Sequence, residues 1–178
     1  MNIASFLLIT LSVQSNIIFV TFRPPSDPII SVIFNTIVIN ESQTTGAYTG
    51  GTRGINIAGA GTTLSANSNS VTINKTGSGT GTYTTGAIYG IDYSGAATTI
   101  NSFSNTILVN QTTSVASGIA TAISGIKATT GATTINIGGS GTGNTITFKQ
   151  AVTGSGTYGT GIGYYVNLTT AAHGTVNA

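Results

Sequence analysis

The means of acid–base chemistry in this chain are few. Asp27, Glu41 and Asp92 are the acidic side chains, and His173 is the single histidine. Two carboxylates placed either side of a glycosidic bond can hydrolyse it, one as acid and one as base or nucleophile. Glu41 and Asp92 are the candidates for such a pair. They stand at different elements of different repeats, however, and Lys75 and Gln111 occupy the position equivalent to Glu41. A calcium-assisted polysaccharide lyase needs clustered acids with a basic residue nearby, and neither cluster is present. A Ser-His-Asp triad through Asp92 has no support from spacing, and His173 reads as a solvated residue near the C-terminus. The sequence therefore points to no catalytic residue, no cofactor-binding residue and no metal ligand, and to a protein that is not an enzyme.

Other motifs imitate binding sites. Gly77-Ser78-Gly79-Thr80-Gly81 and Gly139-Ser140-Gly141-Thr142-Gly143 look like phosphate loops. Neither runs into Lys-Ser/Thr and a helix, which phosphate cradling requires, so both are expected to be turns. Asn40, Asn74, Asn110 and Asn167 each open an Asn-x-Ser/Thr sequon, a glycan acceptor in a eukaryotic secretory path. Three of them share one repeat position, so corner geometry explains them more simply. Tyr83, Tyr89, Tyr93, Tyr158, Tyr164 and Tyr165 fall in or near one repeated segment and could form an aromatic strip that stacks on sugars. The alternative is that about half of them face inward as packing.

Composition limits what could position such groups. Only 4% of the 178 residues are charged, the net charge is +2, and no cysteine is present. Disulfide scaffolds, thiol chemistry and Cys-ligated metals are excluded. Arg23, Arg53, Lys75, Lys127 and Lys149 are scattered along the chain, which argues against nucleic acid as a partner. The chain holds 34 Thr and 25 Gly, and Ile and Val are plentiful. β-Branched residues suit a pleated, half-buried strand, and good helix formers such as Glu, Lys, Gln and Met are rare.

Residues 3–22 carry no charge, but seven polar side chains make them too wet for a membrane span. Residues 1–22 read as an export signal with an apolar core at Phe6–Val13 and a cleavage site at Val13-Gln14-Ser15, or else as an irregular N-terminal segment. Pro24, Pro25 and Pro28 break regular structure, so residues 23–34 are expected to be a linker or cap.

From Asn35 onward the chain repeats itself. Asn35-Thr36-Ile37-Val38-Ile39-Asn40 returns as Asn69–Asn74, Asn105–Asn110 and Asn144–Lys149, and the successive steps from Ile37 to Val71, Ile107 and Ile146 are 34, 36 and 39. A second element reads Gly54-Ile55-Asn56-Ile57, Gly90-Ile91-Asp92-Tyr93, Gly125-Ile126-Lys127-Ala128 and Gly163-Tyr164-Tyr165-Val166. A third reads Thr62-Thr63-Leu64, Thr98-Thr99-Ile100 and Thr133-Thr134-Ile135, with Thr169-Thr170 or Thr175-Val176 as the fourth copy. Each element alternates with period two, as strands do. Three strands per repeat, with like residues one repeat apart, predict an all-β fold. This is a right-handed parallel β-helix of about four coils of roughly 36 residues, spanning 35–178. In it, Asn40, Asn74 and Asn110 would stack at a corner, and Gly54, Gly90 and Gly125 would permit the corner before the second strand. An antiparallel sandwich is the alternative.

Such repeats resemble the β-strand-repeat surface proteins of Bacteroidota-type bacteria. The stretches Asn105–Thr112 and Tyr89–Asn101 carry that likeness, which extends more loosely to the passengers of autotransporter and haemagglutinin-like adhesins. The resemblance covers about residues 35–178. It implies an exported, extracellular stalk or adhesin at the cell surface, with no catalytic residue and no cofactor. Those families are typically much longer and carry a C-terminal sorting or barrel segment, and no stretch of these 178 residues reads as one. Its partner would be a surface glycan or a ligand on a host or neighbouring cell. The end, Ala172–Ala178, reads as another strand begun, so the solenoid is expected to be open there and to self-associate or stack on a partner. Two further readings stand beside this one. Thr pairs recurring at 62, 98 and 133 suggest an ice-binding solenoid, although adjacent Thr residues point to opposite faces of a strand. A carbohydrate-binding or carbohydrate-processing β-helix is the other.

Overall fold

Short alternating runs of Ile, Val and Thr, separated by Gly- and Ser-rich stretches, are too brief to bury a face alone. Laid one coil upon the next, they bury it together. The computed structural model describes residues 29–43, 51–58, 61–77, 87–113, 122–130, 132, 134–152, 160–168 and 175–177. The expected export signal in residues 1–22 lies outside them.

Among the described residues are thirteen strands. They are β1 (Ile29–Ile33), β2 (Thr36–Gln43), β3 (Thr52–Ile57), β4 (Gly61–Asn67), β5 (Ser70–Gly77), β6 (Ile88–Tyr93) and β7 (Ala97–Phe103). Then follow β8 (Thr106–Thr113), β9 (Ala122–Thr130), β10 (Thr134–Ile137), β11 (Thr145–Val152), β12 (Thr160–Leu168) and β13 (Thr175–Asn177). They form three parallel sheets: sheet A, ordered β1-β4-β7-β10-β13; sheet B, ordered β11-β8-β5-β2; and sheet C, ordered β12-β9-β6-β3. Each coil gives one strand to B, one to C and one to A before the chain returns to B. The fold is therefore a parallel β-helix with three strands per coil and four coils, preceded by β1. Neighbouring coils stack about 4.8 Å apart, the spacing of hydrogen-bonded strands.

Register follows the sequence repeat. Ile37 pairs with Val71, Val71 with Ile107 and Ile107 with Ile146; Ile39, Ile73, Val109 and Phe148 make the next column. In sheet A, Leu64, Ile100, Ile135 and Val176 form a third, so Thr175-Val176 is the fourth copy of the Thr-aliphatic element. Ile73, Ile91, Ile100, Ile107, Ile126 and Ile135 are wholly buried. Each such side chain contributes about 1.5–3 kcal/mol.

Three features depart from expectation. The stacked coils already include Ile29–Ile33, because β1 pairs in register with β4 inside the segment expected to be a linker or cap. Asn40, Asn74 and Asn110 do stack, with side-chain hydrogen bonds of 2.8 and 2.7 Å. Their ladder lies within β2, β5 and β8, since those strands continue three residues past each Asn, and not at a corner. The glycines Gly54, Gly90 and Gly125 likewise lie inside β3, β6 and β9, not before them. A Cβ on Gly90 would come within 2.5 Å of both Gly125 O and Ile107 Cγ2. At Gly54 and Gly90 sheet C passes too close to its neighbours for any side chain. Each is skipped in the pairing of its ladder, which marks a bend inside the strand.

The corner from sheet A to sheet B is built by another asparagine set. Phe34, Ser68 and Ser104 turn the chain with φ of 56°, 56° and 53°, and Asn35, Asn69 and Asn105 follow. The fourth corner is longer. Gly138 to Asn144 makes a turn in which Thr142 N–H donates to Gly139 O at 3.0 Å, with positive φ at Gly138 and Gly141. The second phosphate-loop imitation is thus a turn. The first, apart from Gly77, lies outside the described residues.

Candidate functional site

Charge is scarce here, and the fold gathers it. Glu41, Lys75, Gln111 and Gln150 hold one column of sheet B, directly after the apolar columns. Alternation turns this column inward, and Glu41, Lys75 and Gln111 are buried. Lys75 Nζ stands 3.0 Å from Glu41 Oε2. Thr52 Oγ1, from β3, donates to Glu41 at 2.9 and 3.0 Å and accepts from Lys75 at 3.3 Å. Burial lowers the Lys75 pKa from 10.5, and the charge and hydrogen bond of Glu41 act the other way. Further along the column, Gln150 Nε2 donates to Gln111 Oε1 at 3.4 Å. The position that reads Glu, Lys, Gln, Gln in successive repeats is therefore an internal polar column whose one charge of each sign neutralises the other.

A second cluster lies on sheet C. Arg53 Nε donates to Asp92 Oδ2 at 2.6 Å, and Lys127 Nζ lies 3.6 Å from Asp92 Oδ1. Oδ1 itself has no hydrogen bond. Between the two cations lies Tyr89, paired by register with Arg53. The Arg53 guanidinium carbon is 5.5 Å from the Tyr89 ring centroid, and Lys127 Nζ is 4.2 Å from it. Both separations are within cation–π range. Asp92 is buried, whereas the side chains of Arg53 and Lys127 are 30% and 18% exposed. Two of the cations that look scattered in the sequence are thus drawn to one carboxylate from the coils on either side of it.

This arrangement separates the candidate carboxylate pair. Glu41 is bound to Lys75 in the interior, and Asp92 to Arg53 and Lys127 on sheet C. His173 lies outside the described residues. Among the described residues, no group of three or more His, Asp or Glu side chains could hold a metal ion.

The tyrosines divide. Tyr93 is wholly buried, and its hydroxyl donates to Asn101 O at 2.9 Å. Burial pushes its pKa far above the usual value, with hydrogen bonds to Ser102 and Ala66 opposing. It packs the core and cannot contact a ligand. Tyr89 is half-buried, with the two cations over its ring. Tyr164 and Tyr165 belong to β12, where their backbones pair with Ile126 and Lys127. Tyr83 and Tyr158 lie outside the described residues. With Tyr93 in the core, the six cannot all lie on one exposed strip.

The expected Thr array is partly in place. Thr63, Thr99, Thr134 and Thr175 share one ladder of sheet A. The next row on that side holds Ser65, Asn101, Asn136 and Asn177, where Asn136 Nδ2 donates to Asn101 Oδ1 at 2.8 Å.

Sequence reasoning missed the corner asparagines. Asn69 Nδ2 donates to Val32 O and to Asn105 Oδ1, both at 3.0 Å, and Asn105 Nδ2 donates to Ala66 O and to Asn144 Oδ1, both at 2.8 Å. Their signal was the first Asn of each repeat, which recurs in all four copies where the sixth recurs in three. No helix among the described residues is long and apolar enough to cross a membrane. No family model, curated protein or solved structure matches the chain.

Proposed function

We propose that this chain is a structural and adhesive repeat segment of an exported bacterial surface protein, and that it carries out no catalysis. The observation that supports the reading is the internal neutralisation of charge. Glu41 and Asp92 are both engaged by cations, one pair inside the coil and the other on sheet C. What the coils turn outward on sheet B is instead a regular grid of uncharged side chains. Its rows are Thr36, Ser70, Thr106, Thr145, then Val38, Thr72, Leu108, Thr147, then Asn40, Asn74, Asn110, Lys149, and last Ser42, Thr76, Thr112, Ala151, with Lys149 the single charge. A rod whose faces repeat in step suits spacing and contact over length better than it suits turnover at one point.

Fractionation of native cells tests this. An antibody against the Gly77–Tyr83 region is expected to detect the protein in the surface fraction of intact cells. Detection in the cytosol alone would sink the proposal.

Ice binding stands second, favoured by the Thr63, Thr99, Thr134 and Thr175 ladder. The asparagines of the adjoining row break the Thr-x-Thr pattern that a flat ice-facing surface wants. Unmodified ice growth at high protein concentration eliminates this reading.

A further inference from the structure

We propose that sheet C binds an acidic polysaccharide through Arg53, Tyr89 and Lys127. The inference rests on the surface-module reading above and adds the class of ligand.

Charge is the first argument. Two cations share one carboxylate, so the Arg53–Asp92–Lys127 cluster keeps one net positive charge. Unused donors are the second. Asp92 engages Arg53 through Nε, and among the described residues neither Nη has a hydrogen-bond partner. That edge of the guanidinium is the fork that grips an oxyanion with two parallel bonds. The Tyr89 hydroxyl also lacks a partner among the described residues. Lys127 reaches Asp92 only at 3.6 Å, so its ammonium group keeps donors for a second anion where it stands. The third argument is preorganisation. Asp92 and the Tyr89 ring hold both cations in place before any ligand arrives, so little ordering remains to oppose binding.

The surroundings select the class of polymer. One excess positive charge is far too little for a phosphate backbone, which is bound by many cations at once. Beside the cluster the exposed Ser94 hydroxyl donates to Asn56, which pairs with Asp92, and this neutral polar neighbour suits a hydroxyl-rich polymer better than an acidic peptide. Lys149, on sheet B, is the remaining cation among the described residues outside the two clusters, and it has no cation beside it in its row. It serves as the control.

Isothermal titration of the full chain against polygalacturonate, dextran sulfate, neutral dextran and polyglutamate provides the test. One or both acidic polysaccharides are expected to bind more tightly than neutral dextran, and to lose affinity as added salt screens the cluster. Which of the two binds tells carboxylate from sulfate as the source of the anion. Arg53→Gln and Lys127→Gln are each expected to weaken binding about tenfold, a change of about 1.4 kcal/mol. Tyr89→Phe, which removes only an unpartnered hydroxyl, is expected to weaken it several-fold and keeps the test open should the charge variants fail to fold. Lys149→Gln is expected to bind as the parent does. Equal affinity for neutral dextran or polyglutamate overturns the proposal, as does an equal loss in Lys149→Gln. Surface fractionation is independent of this titration, so failure of one reading is distinguishable from failure of the other.

Discussion

Asn69 takes both the backbone N–H and the side-chain amide of Asn35 on one oxygen: its Oδ1 lies 3.1 Å from each. The same clasp joins Asn69 to Asn105 and Asn105 to Asn144. Each asparagine also donates to a backbone carbonyl at the end of sheet A. These corners turn sharply, and the clasp satisfies polar groups that the turn takes out of the sheet ladder.

Removing the clasp should be costly. Asn105→Ala strands the buried Asn69 N–H and the Ala66 carbonyl, and is expected to lower stability by about 2–3 kcal/mol. Asn40→Ala, on the exposed mid-strand ladder, should cost under about 1 kcal/mol. Urea midpoints of the two variants check the contrast.

Gly90→Ala places a methyl group against Gly125 O and Ile107. Backbone cannot retreat cheaply in a stacked coil, so a loss of at least about 2 kcal/mol is expected. Gly143→Ala meets nothing within 4 Å and should stay within about 0.5 kcal/mol of the parent. Thermal melting of both proteins distinguishes a general aversion to alanine from this specific approach.

The Glu41–Lys75 pair gives a double-variant cycle. Lys75→Met alone leaves Glu41 buried without its cation and should cost about 3 kcal/mol or more. Adding Glu41→Gln removes the orphaned charge and should restore much of that loss. Denaturant titration of the four proteins reads the coupling directly.

Alkaline pH should act in two opposite ways. Lys75 has a folded pKa below 10.5, so between those two values the unfolded chain holds the extra proton and stability rises with pH. Tyr93 has a folded pKa raised above 10.0, so above pH 10.0 the unfolded chain loses its proton first and stability falls. Tyr93→Phe is expected to flatten the alkaline fall, and Lys75→Met to remove the rise that precedes it. Unfolding midpoints measured from neutral pH to pH 11 resolve the two limbs.

Phe34 occupies a left-handed backbone conformation and is 65% exposed, at a corner where later coils carry Ser68 and Ser104. A bulky side chain is disfavoured there, whereas asparagine tolerates it. Phe34→Asn should raise stability by about 0.5–1 kcal/mol, read as a higher melting temperature.

The coil itself was legible because like residues recur at nearly constant spacing. Ile37, Val71, Ile107 and Ile146 could be read as one column before any coordinates. Where strands end was not legible, since nothing in Asn40-Glu41-Ser42 says that β2 runs on to Gln43. Tyr89 and Tyr93 should share a face under strict alternation. They do not, because Gly90 is skipped in the ladder and the parity of the strand flips there. The sheet C cluster was invisible for a related reason. Arg53, Asp92 and Lys127 come from three repeats, and only Asp92 and Lys127 hold equivalent positions.

Between β10 and β11 the corner takes in Gly138 to Asn144, where the earlier corners need two residues, yet Asn144 still accepts from Asn105 at 3.0 and 2.8 Å. The asparagine therefore acts as a bookmark: the chain wanders before it, and the next coil resumes at the same place. Foreign sequence spliced between Gly139 and Gly143 should be carried on the outside of the rod with every strand below it undisturbed, which makes this corner a natural mount for an epitope or a fluorophore.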